Sequence, residues 1–166
     1  MKILVFGAGP LGSLLAARLF QGGHEVALLA RGKRMEDLKK FGVVLRRWPT
    51  EDTESVNVPI VAVFSSKDTY NLVLVVMRKN NALKILPILS KNNKVPAFLF
   101  LMNNAAGPGA FTDALGKDRV LMGFPGAAGY REGHTIVHLN GTPDRPAGIV
   151  MGEIGGGRSP RLEKIA

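Results

Sequence analysis

Short apolar runs alternate along the chain with segments in which apolar residues recur at helical spacing. Residues 2–6, 72–77 and 97–102 are nearly continuous apolar runs, a pattern typical of strands that are covered on both faces of a sheet. Leucines recur every three or four positions within residues 10–21, and Gly22 follows as a stop signal. This alternation predicts a parallel α/β sheet with right-handed crossovers.

The same pattern predicts the order of the strands and helices. The predicted strands are Lys2–Phe6, Glu25–Ala30, Val43–Trp48, Val56–Phe64, Leu72–Met77, Ala97–Met102, Val120–Gly123, Thr135–Leu139 and Ile149–Gly152. The predicted helices are Pro10–Gln21, Met35–Phe41, Ala82–Leu89 and Phe111–Leu115. We expect Val43–Trp48 and Val56–Phe64 to form a β-pair across the polar segment Pro49–Ser55, interpreted as a hairpin loop. The predicted fold class is α/β, with a doubly wound, mostly parallel sheet.

The last residues carry the signals of a joint followed by a helix start. Gly155, Gly156 and Gly157 are typical of a flexible joint, and Ser159-Pro160 predicts an N-cap with proline in the first turn. We expect this helix, over Arg161–Ala166, to have nothing to pack on. The predicted organisation is therefore one domain over residues 1–154, with a linker and the beginning of a helix over 155–166 that leads to a domain absent from this chain.

Charge and composition narrow the classes of function. The chain has 22 Lys and Arg against 13 Asp and Glu, a formal charge of +9, but the basic residues are scattered and aromatics make up only 7%. Nucleic acid is therefore not an expected partner, because no aromatic platform is interleaved with the charge. The positive charge is explained better by solvated surface cations together with a site for a small anion than by a nucleic-acid-binding surface.

Membrane and metal sites are not expected either. No stretch reaches the ~18 continuous apolar residues of a membrane helix, and the amino terminus does not make a signal peptide, so we expect a cytoplasmic protein. The chain has no cysteine, which excludes disulfides and thiolate metal ligands. His24, His134 and His138 are not spaced like metal ligands and are interpreted as structural.

A glycine-rich loop gives the most specific prediction. Gly7, Gly9 and Gly12 directly follow a predicted strand and open a helix, the context that a dinucleotide-binding loop requires. The first glycine permits a tight turn, the second lets a pyrophosphate approach the backbone, and the third lets the helix lie close to the sheet. Helix amides would then face the phosphates. We predict a Rossmann-type domain whose pyrophosphate is held by Gly7, Ala8, Gly9, Pro10, Leu11 and Gly12. The alternative is a helix packed tightly on a strand without a ligand.

The end of the second predicted strand indicates which dinucleotide is bound. Ala30 is followed by Arg31, Gly32, Lys33 and Arg34, with no acidic residue before Glu36. A carboxylate would repel a 2′-phosphate, whereas a guanidinium can hold it by two charge-assisted hydrogen bonds. Two bonds of ~1.5 kcal/mol each would give a roughly 100-fold preference for NADP over NAD. We predict NADP, with Arg31 on the 2′-phosphate and Arg34 among the cofactor-binding residues. The alternative is that Arg31 only points into solvent.

Polar residues follow two of the covered strands. Arg78, Lys79, Asn80 and Asn81 come after LVLVVM, and Asn103-Asn104 comes after AFLFLM. Ligands of open α/β sheets bind outside the carboxyl ends of the strands. These side chains are therefore ligand contacts, or else they cap helices and turns.

A family resemblance covers essentially the whole chain. It rests on six segments that occur in order: KILVFGAGPLGS, GHEVALLAR, LVLVVMRKNNA, FLFLMNNAAG, RVLMGFPGAAGYREG and IVHLNGT. The series resembles the N-terminal domain of the ketopantoate reductase family, the NADPH-dependent 2-dehydropantoate 2-reductases and their relatives. The resemblance implies an oxidoreductase of pantothenate biosynthesis or a related reductase, in which NADPH reduces a small anionic 2-oxo acid.

The resemblance also assigns roles to individual positions. It implies that Arg78 binds cofactor or substrate, that Asn103 stands beside the nicotinamide, and that the Gly126–Gly129 loop, with Gly129, borders the same pocket. It implies a C-terminal helical domain, not present in this chain, that supplies the lysine proton donor and a carboxylate near the cofactor ribose. Only Asn103 is then a candidate catalytic residue here. A homodimer is the candidate assembly of the full-length protein.

Two positions depart from the family pattern. Typical members have lysine where this chain has Arg78, with Lys79 one residue later, and FPGAAG replaces a commoner version that bears threonine and histidine. These changes concern the identity of the substrate and leave the reductase class intact. Two alternatives remain, a non-catalytic NADP sensor or regulatory module and a two-domain dehydrogenase acting on opines or glycerol phosphate.

Overall fold

The computed structural model describes residues 1–139, 141, 145 and 147–166. Their strands are β1 (Lys2–Phe6), β2 (Glu25–Leu29), β3 (Val43–Arg47), β4 (Thr53–Val56), β5 (Ile60–Val61), β6 (Leu72–Val75), β7 (Phe98–Leu101), β8 (Val120–Pro125), β9 (Ala128–Glu132), β10 (Thr135–Leu139) and β11 (Ile149–Glu153). Their α-helices are α1 (Pro10–Gln21), α2 (Gly32–Phe41), α3 (Lys79–Ser90), α4 (Gly109–Leu115) and α5 (Pro160–Ile165), and a short 3₁₀ helix spans Lys117–Arg119. Since α1 and α3 have only 12 residues each, none of the helices in this described part is long and apolar enough to cross a membrane.

The central sheet, as far as it is described, has seven strands in the order β11–β8–β7–β6–β1–β2–β5. β11 runs antiparallel to β8 and the other neighbours are parallel. The chain passes from β1 through α1 to β2 on one side, and later crosses to β6 on the other side of β1. The strand order therefore reverses at β1, and ligands of open α/β sheets bind in the crevice at such a point.

Both faces of the central sheet are covered. In β6, Leu72 and Leu74 are buried in the cluster that contains residues of α1, whereas Val73 and Val75 are buried in the cluster that contains residues of α3 and α4. Successive side chains of a strand point to opposite faces. The apolar runs were therefore interpreted correctly, and the α/β, doubly wound, mostly parallel sheet of the Rossmann type is confirmed.

A second sheet lies beyond α1. Its described strands are ordered β4–β3–β10–β9, with β10 parallel to β3 and antiparallel to β9. Leu45 of β3 and Ile136 of β10 are buried in one cluster with Leu14 of α1. The helix that follows the glycine loop is thus packed between the two sheets.

The predicted β-pair of Val43–Trp48 with Val56–Phe64 is wrong. β3 pairs instead with Thr53–Val56, most of which belonged to the predicted loop Pro49–Ser55, and Ile60–Val61 joins β2 in the central sheet. β4 is an edge strand and tolerates polar residues because one face and one edge meet solvent. Its Glu54 forms an ion pair of 2.6 Å with Arg18.

Several other bounds differ from the prediction. α2 begins at Gly32 and α3 at Lys79, each one residue after an arginine in the N-cap position. The inner face of α3 is formed by Ala82, Ile85, Leu86 and Leu89, whereas Leu83 is 37% exposed. The Gly126–Gly129 segment is a loop only at its start, since β9 begins at Ala128. β9 escaped prediction because all five of its residues are exposed and show no alternation.

The last helix does have a surface to pack on, contrary to expectation. Leu162 and Ile165 pack against the core cluster that includes α1. Ser159 is the N-cap, as predicted, and its hydroxyl accepts a hydrogen bond from the Leu162 amide at 3.2 Å. Glu153 of β11 binds Ser159 and Arg161, so α5 is held to the sheet by polar as well as apolar contacts.

Candidate functional site

Two adjoining cavities lie at the carboxyl ends of the central strands, where the strand order reverses. The larger has a volume of about 770 Å³ and the smaller a volume of about 240 Å³. Gly7 and Met77 line both cavities. The two cavities therefore adjoin at the ends of β1 and β6, and together they are called the groove below.

The residues proposed from the sequence meet in this groove. The larger cavity is lined by Gly7, Gly9, Pro10, Leu11, Gly12, Arg78, Asn103 and Gly129 among others. The smaller cavity is lined by Gly7, Ala8, Arg31 and Arg34 among others. Every candidate cofactor residue therefore lies in the wall of one cavity or the other.

The three loop glycines differ in what surrounds them. Gly7 has φ +126°, and a Cβ there would lie 2.4 Å from the carbonyl oxygen of Val76. A Cβ on Gly12 would lie 1.8 Å from the carbonyl oxygen of Gly7. Gly9 has open space where its side chain would be, with nothing within 4 Å. Gly7 thus allows the loop to pass close to the end of β6, Gly12 allows the first turn of α1 to lie close to the end of β1, and Gly9 leaves room for a ligand.

The amino end of α1 is polarised toward that room. Gly9 is the N-cap with no side-chain cap, and no acidic residue lies in the first turn. The first amides of a helix have no partner within it and carry partial positive charge. The loop therefore fits the phosphates of a dinucleotide.

The smaller cavity lies at the end of β2 and carries three arginines. Arg31 is exposed, and Arg34 is half-buried. Arg34 donates from Nε to the Ala8 carbonyl at 3.2 Å, from Nη1 to the His134 carbonyl at 3.2 Å and from Nη2 to Ser13 Oγ at 3.0 Å. Arg131 of β9, which sequence reasoning missed, lines the same cavity.

Burial and a neighbouring cation both act on Arg34. Desolvation is the largest cause that lowers the pKa of its guanidinium, the charge of Arg131 lowers it further, and Asp37 opposes the shift. Burial and the charge of Arg131 both disfavour the charged form of Arg34, so a negatively charged group bound near these two side chains would stabilise it.

The larger cavity has cations at the amino end of α3. Arg78 is the exposed N-cap of that helix, Lys79 is its partly buried first residue, and both line the cavity. Arg78, which stands where the family pattern has lysine, and Lys79 are thus both part of the wall of the larger cavity. No carboxylate is found among the described residues that line either cavity.

Asn103 and Asn104 have different positions. Asn103 is exposed and lines the larger cavity. Asn104 lies outside that lining, and its Nδ2 donates to the Gly107 carbonyl at 2.6 Å, which closes a turn. Of the two alternatives for this pair, the turn applies to Asn104, and Asn103 remains the candidate for a ligand contact.

Sequence reasoning missed several further residues of the wall. They are Phe6, Leu29, Ala30, Val76, Met77, Leu101, Met102, Phe124, Pro125 and Arg131. All except Arg131 lie at the carboxyl end of a strand or just after it, so the position was a usable signal. Arg131 had no such signal, because its strand shows no hydrophobic pattern.

The histidines lie away from the groove lining. His138 is buried in β10, His134 stacks on Phe41 with ring centroids 4.1 Å apart, and His24 Nδ1 lies 3.2 Å from the amino terminus of Met1. These positions agree with the structural interpretation of all three.

Comparison with known proteins gives a family match over most of the chain. Residues 3–156 match the family described as ketopantoate reductase PanE/ApbA. Among curated proteins, the uncharacterised oxidoreductase YkpB of Bacillus subtilis (strain 168) is 49% identical over 45 residues, which are 27% of this chain and 15% of that protein.

Solved structures share the fold. A 2-dehydropantoate 2-reductase from Geobacter metallireducens GS-15 superposes with a TM-score of 0.81 at 22% identity, over 100% of this chain and 54% of that one. A ternary structure of D-mandelate dehydrogenase with NADH and anilino(oxo)acetate gives a TM-score of 0.83 at 20% identity, over 100% and 53%. The chain thus spans about half the length of these solved relatives.

Proposed function

The chain belongs to the ketopantoate reductase PanE/ApbA family, and from that premise we propose that it holds NADPH for the reduction of a small anionic 2-oxo acid to the 2-hydroxy acid. The observation that carries the proposal is the groove where the strand order reverses, with the glycine loop at its centre and arginines at the end of β2. In this proposal residues 1–154 form the cofactor-binding half of the reductase.

The preference for NADPH over NADH is supported by charge at the end of β2. Arg31 and Arg34 line the smaller cavity, and no carboxylate of the described residues lines it. NAD sites usually place an acidic residue at this point to bind the ribose 2′-hydroxyl. A structure of D-mandelate dehydrogenase, which has a similar fold, contains NADH, so the fold alone does not select the cofactor and the proposal assigns the selection to the arginines.

The glycine loop would hold the pyrophosphate, and the larger cavity would hold the nicotinamide and the substrate. The open space at Gly9 and the uncapped amino end of α1 support the first assignment. NADPH, when bound, supplies the hydride. Asn103 lines the larger cavity and is proposed to donate a hydrogen bond beside the nicotinamide, which fixes its orientation.

Arg78 and Lys79 are proposed to bind the carboxylate of the substrate. Both line the larger cavity, and a guanidinium with a neighbouring ammonium neutralises a carboxylate while donating hydrogen bonds to both its oxygens. The new hydroxyl also needs a proton. In this proposal the acid that donates it lies outside residues 1–154, in a further domain.

The activity is tested by NADPH oxidation with a panel of 2-oxo acids and with matched ketones that lack the carboxylate. The proposal predicts turnover of the acids, weaker turnover of the ketones, and a raised KM for the acids in Arg78→Met. The assay uses the protein that includes the proposed further domain, since the chain of residues 1–166 alone is expected to bind NADPH without turnover. NADPH binding by that longer protein without oxidation of any 2-oxo acid would contradict the reductase and favour a sensor.

A further inference from the structure

We infer that Arg131 of β9 binds the 2′-phosphate of the cofactor, so that Arg31, which follows β2 of the central sheet, and Arg131 of the second sheet together define the NADPH preference. The inference rests on the proposed function, and it adds a specificity-determining residue from a part of the chain far from the glycine loop. Its basis is the placement of Arg131, the fixation of its strand and the charge around it.

Arg131 emerges on the side of the second sheet that faces α1. It is paired across the antiparallel ladder with Ile136, and residues directly opposite each other in a sheet share a face. Ile136 is fully buried in the cluster that contains Leu14 of α1. The side chain of Arg131 accordingly lines the smaller cavity together with Arg31 and Arg34.

Arg34 connects the β9–β10 hairpin, which contains Arg131, to the glycine loop. Its guanidinium bonds the carbonyl of Ala8 in the loop, the hydroxyl of Ser13 in α1 and the carbonyl of His134 between β9 and β10. Three of its five N–H groups are thus used by protein acceptors. Arg34 is best described as a positioning residue, and the freer guanidiniums of Arg31 and Arg131 are those that can close on a phosphate.

The guanidinium of Arg131 has no carboxylate partner in the part of the chain that the structure describes. Its neighbour Glu132 binds Arg46 at 2.6 Å, and Arg46 also binds Glu51 at 2.6 Å. The side chain of Arg131 forms no ion pair or hydrogen bond with the described residues, and its charge lowers the pKa of Arg34. Three arginines, Arg31, Arg34 and Arg131, line one cavity, and a phosphate that carries up to two negative charges would offset their repulsion.

The test separates the 2′-phosphate from the rest of the nucleotide. Adenosine 2′,5′-bisphosphate and adenosine 5′-monophosphate differ only in that group, so their Kd values are measured by calorimetry for the wild type, Arg131→Gln and Arg131→Lys. Arg158→Gln removes the same charge from an exposed residue that lines neither cavity and is the matched control.

We expect Arg131→Gln to weaken the bisphosphate about tenfold, the effect of losing one charge-assisted hydrogen bond, and to leave the monophosphate unchanged. Arg131→Lys should retain part of the binding, and Arg158→Gln should bind both ligands as the wild type does. The variants should change the Kd for NADPH as they change the Kd for the bisphosphate, and should change the Kd for NADH as they change the Kd for the monophosphate.

Different results would overturn different claims. If the wild type prefers the bisphosphate but Arg131→Gln binds it equally well, or loses both ligands to the same extent, the role of Arg131 is wrong and the NADPH site stands. If the wild type itself binds bisphosphate and monophosphate with equal affinity, the proposed NADPH preference fails and the inference fails with it.

Discussion

The carbonyl oxygen of Gly7 occupies the place that a side chain on Gly12 would take, since a Cβ there would lie only 1.8 Å from it. The end of β1 and the first turn of α1 are therefore closer than any other residue at this position allows. This approach aims the amino end of the helix at the groove, beside Gly9, where a side chain would meet nothing within 4 Å.

Gly9→Ala should therefore reduce nucleotide affinity without unfolding the protein. The added methyl enters open space in the free protein, so we expect a loss of at most ~1 kcal/mol in the free energy of unfolding, chiefly from the change of N-cap residue. It also fills the room proposed for the pyrophosphate, and we expect the Kd for NADPH and for NADH to rise at least tenfold. Chemical denaturation and fluorescence titration measure the two effects.

Gly12→Ala is the matched comparison and should behave differently. Its methyl collides with backbone, so we expect the free energy of unfolding to fall by about 1–3 kcal/mol, as for an overpacked core. Equal stability losses in the two variants, or unaltered affinity in Gly9→Ala, would contradict the division of roles in the loop.

Arg34→Ala should lower stability and should weaken both cofactors. It removes the hydrogen bonds to Ala8, Ser13 and His134 and leaves their acceptors without that donor, for which we expect a loss of about 2 kcal/mol in the free energy of unfolding. Arg31→Ala is the control, because this exposed side chain should be removable at little cost in stability. An Arg34→Ala protein as stable as Arg31→Ala would contradict the positioning role.

Asn103→Ala and Asn104→Ala should separate binding from folding. Asn103 lines the larger cavity, so its variant should melt like the wild type but show altered fluorescence of bound NADPH and slower hydride transfer. Asn104 closes a turn through Gly107, so its variant should lose about 1 kcal/mol in the free energy of unfolding. A normal hydride-transfer rate in Asn103→Ala would remove that residue from the proposed site.

The contact between Glu153 and Arg161 should weaken at low pH. Hydrogen bonding by Arg161 lowers the pKa of the Glu153 carboxyl to about 2 from an ordinary value of 4.5, although partial burial opposes the shift. Because the folded protein binds this proton less tightly than the unfolded chain, the stabilisation is complete above about pH 4.5 and disappears as the pH falls toward 2.

Arg161→Gln should raise the pKa of Glu153 toward 4.5, which an NMR titration of the carboxyl carbon measures. Glu163→Gln, an exposed change on the same helix, should leave that pKa low. A Glu153 pKa that is equal in wild type and Arg161→Gln would contradict the assigned cause.

The middle of the central sheet could be predicted because its strands are apolar on both faces. β6 (Leu72–Val75) and β7 (Phe98–Leu101) contain no polar residue. The glycine loop could be predicted because close backbone contacts at Gly7 and Gly12 leave no room for a side chain. The second sheet could only be predicted in part. β4 contains Thr53, Glu54 and Ser55, whose polarity is typical of a loop, and they are accommodated because the strand is at an edge.

The site could be predicted where its residues directly follow a covered strand. Arg31, Arg78 and Asn103 do so, and each lines the groove. Arg131 could not be found in this way, since it reaches the groove through the pairing of β9 with β10 and through the bond between Arg34 and His134, which are 100 residues apart. Long-range pairing of an exposed strand leaves no local pattern in the sequence.

The central claim, that arginine at the end of β2 selects NADPH, is tested most directly by fluorescence titration of the wild type and Arg31→Asp with NADPH and NADH. We predict that the wild type binds NADPH about 100-fold more tightly than NADH, from two charge-assisted hydrogen bonds of ~1.5 kcal/mol each, and that Arg31→Asp abolishes this preference. Equal affinities of the wild type for the two cofactors, or unchanged NADPH affinity in Arg31→Asp, would contradict the account.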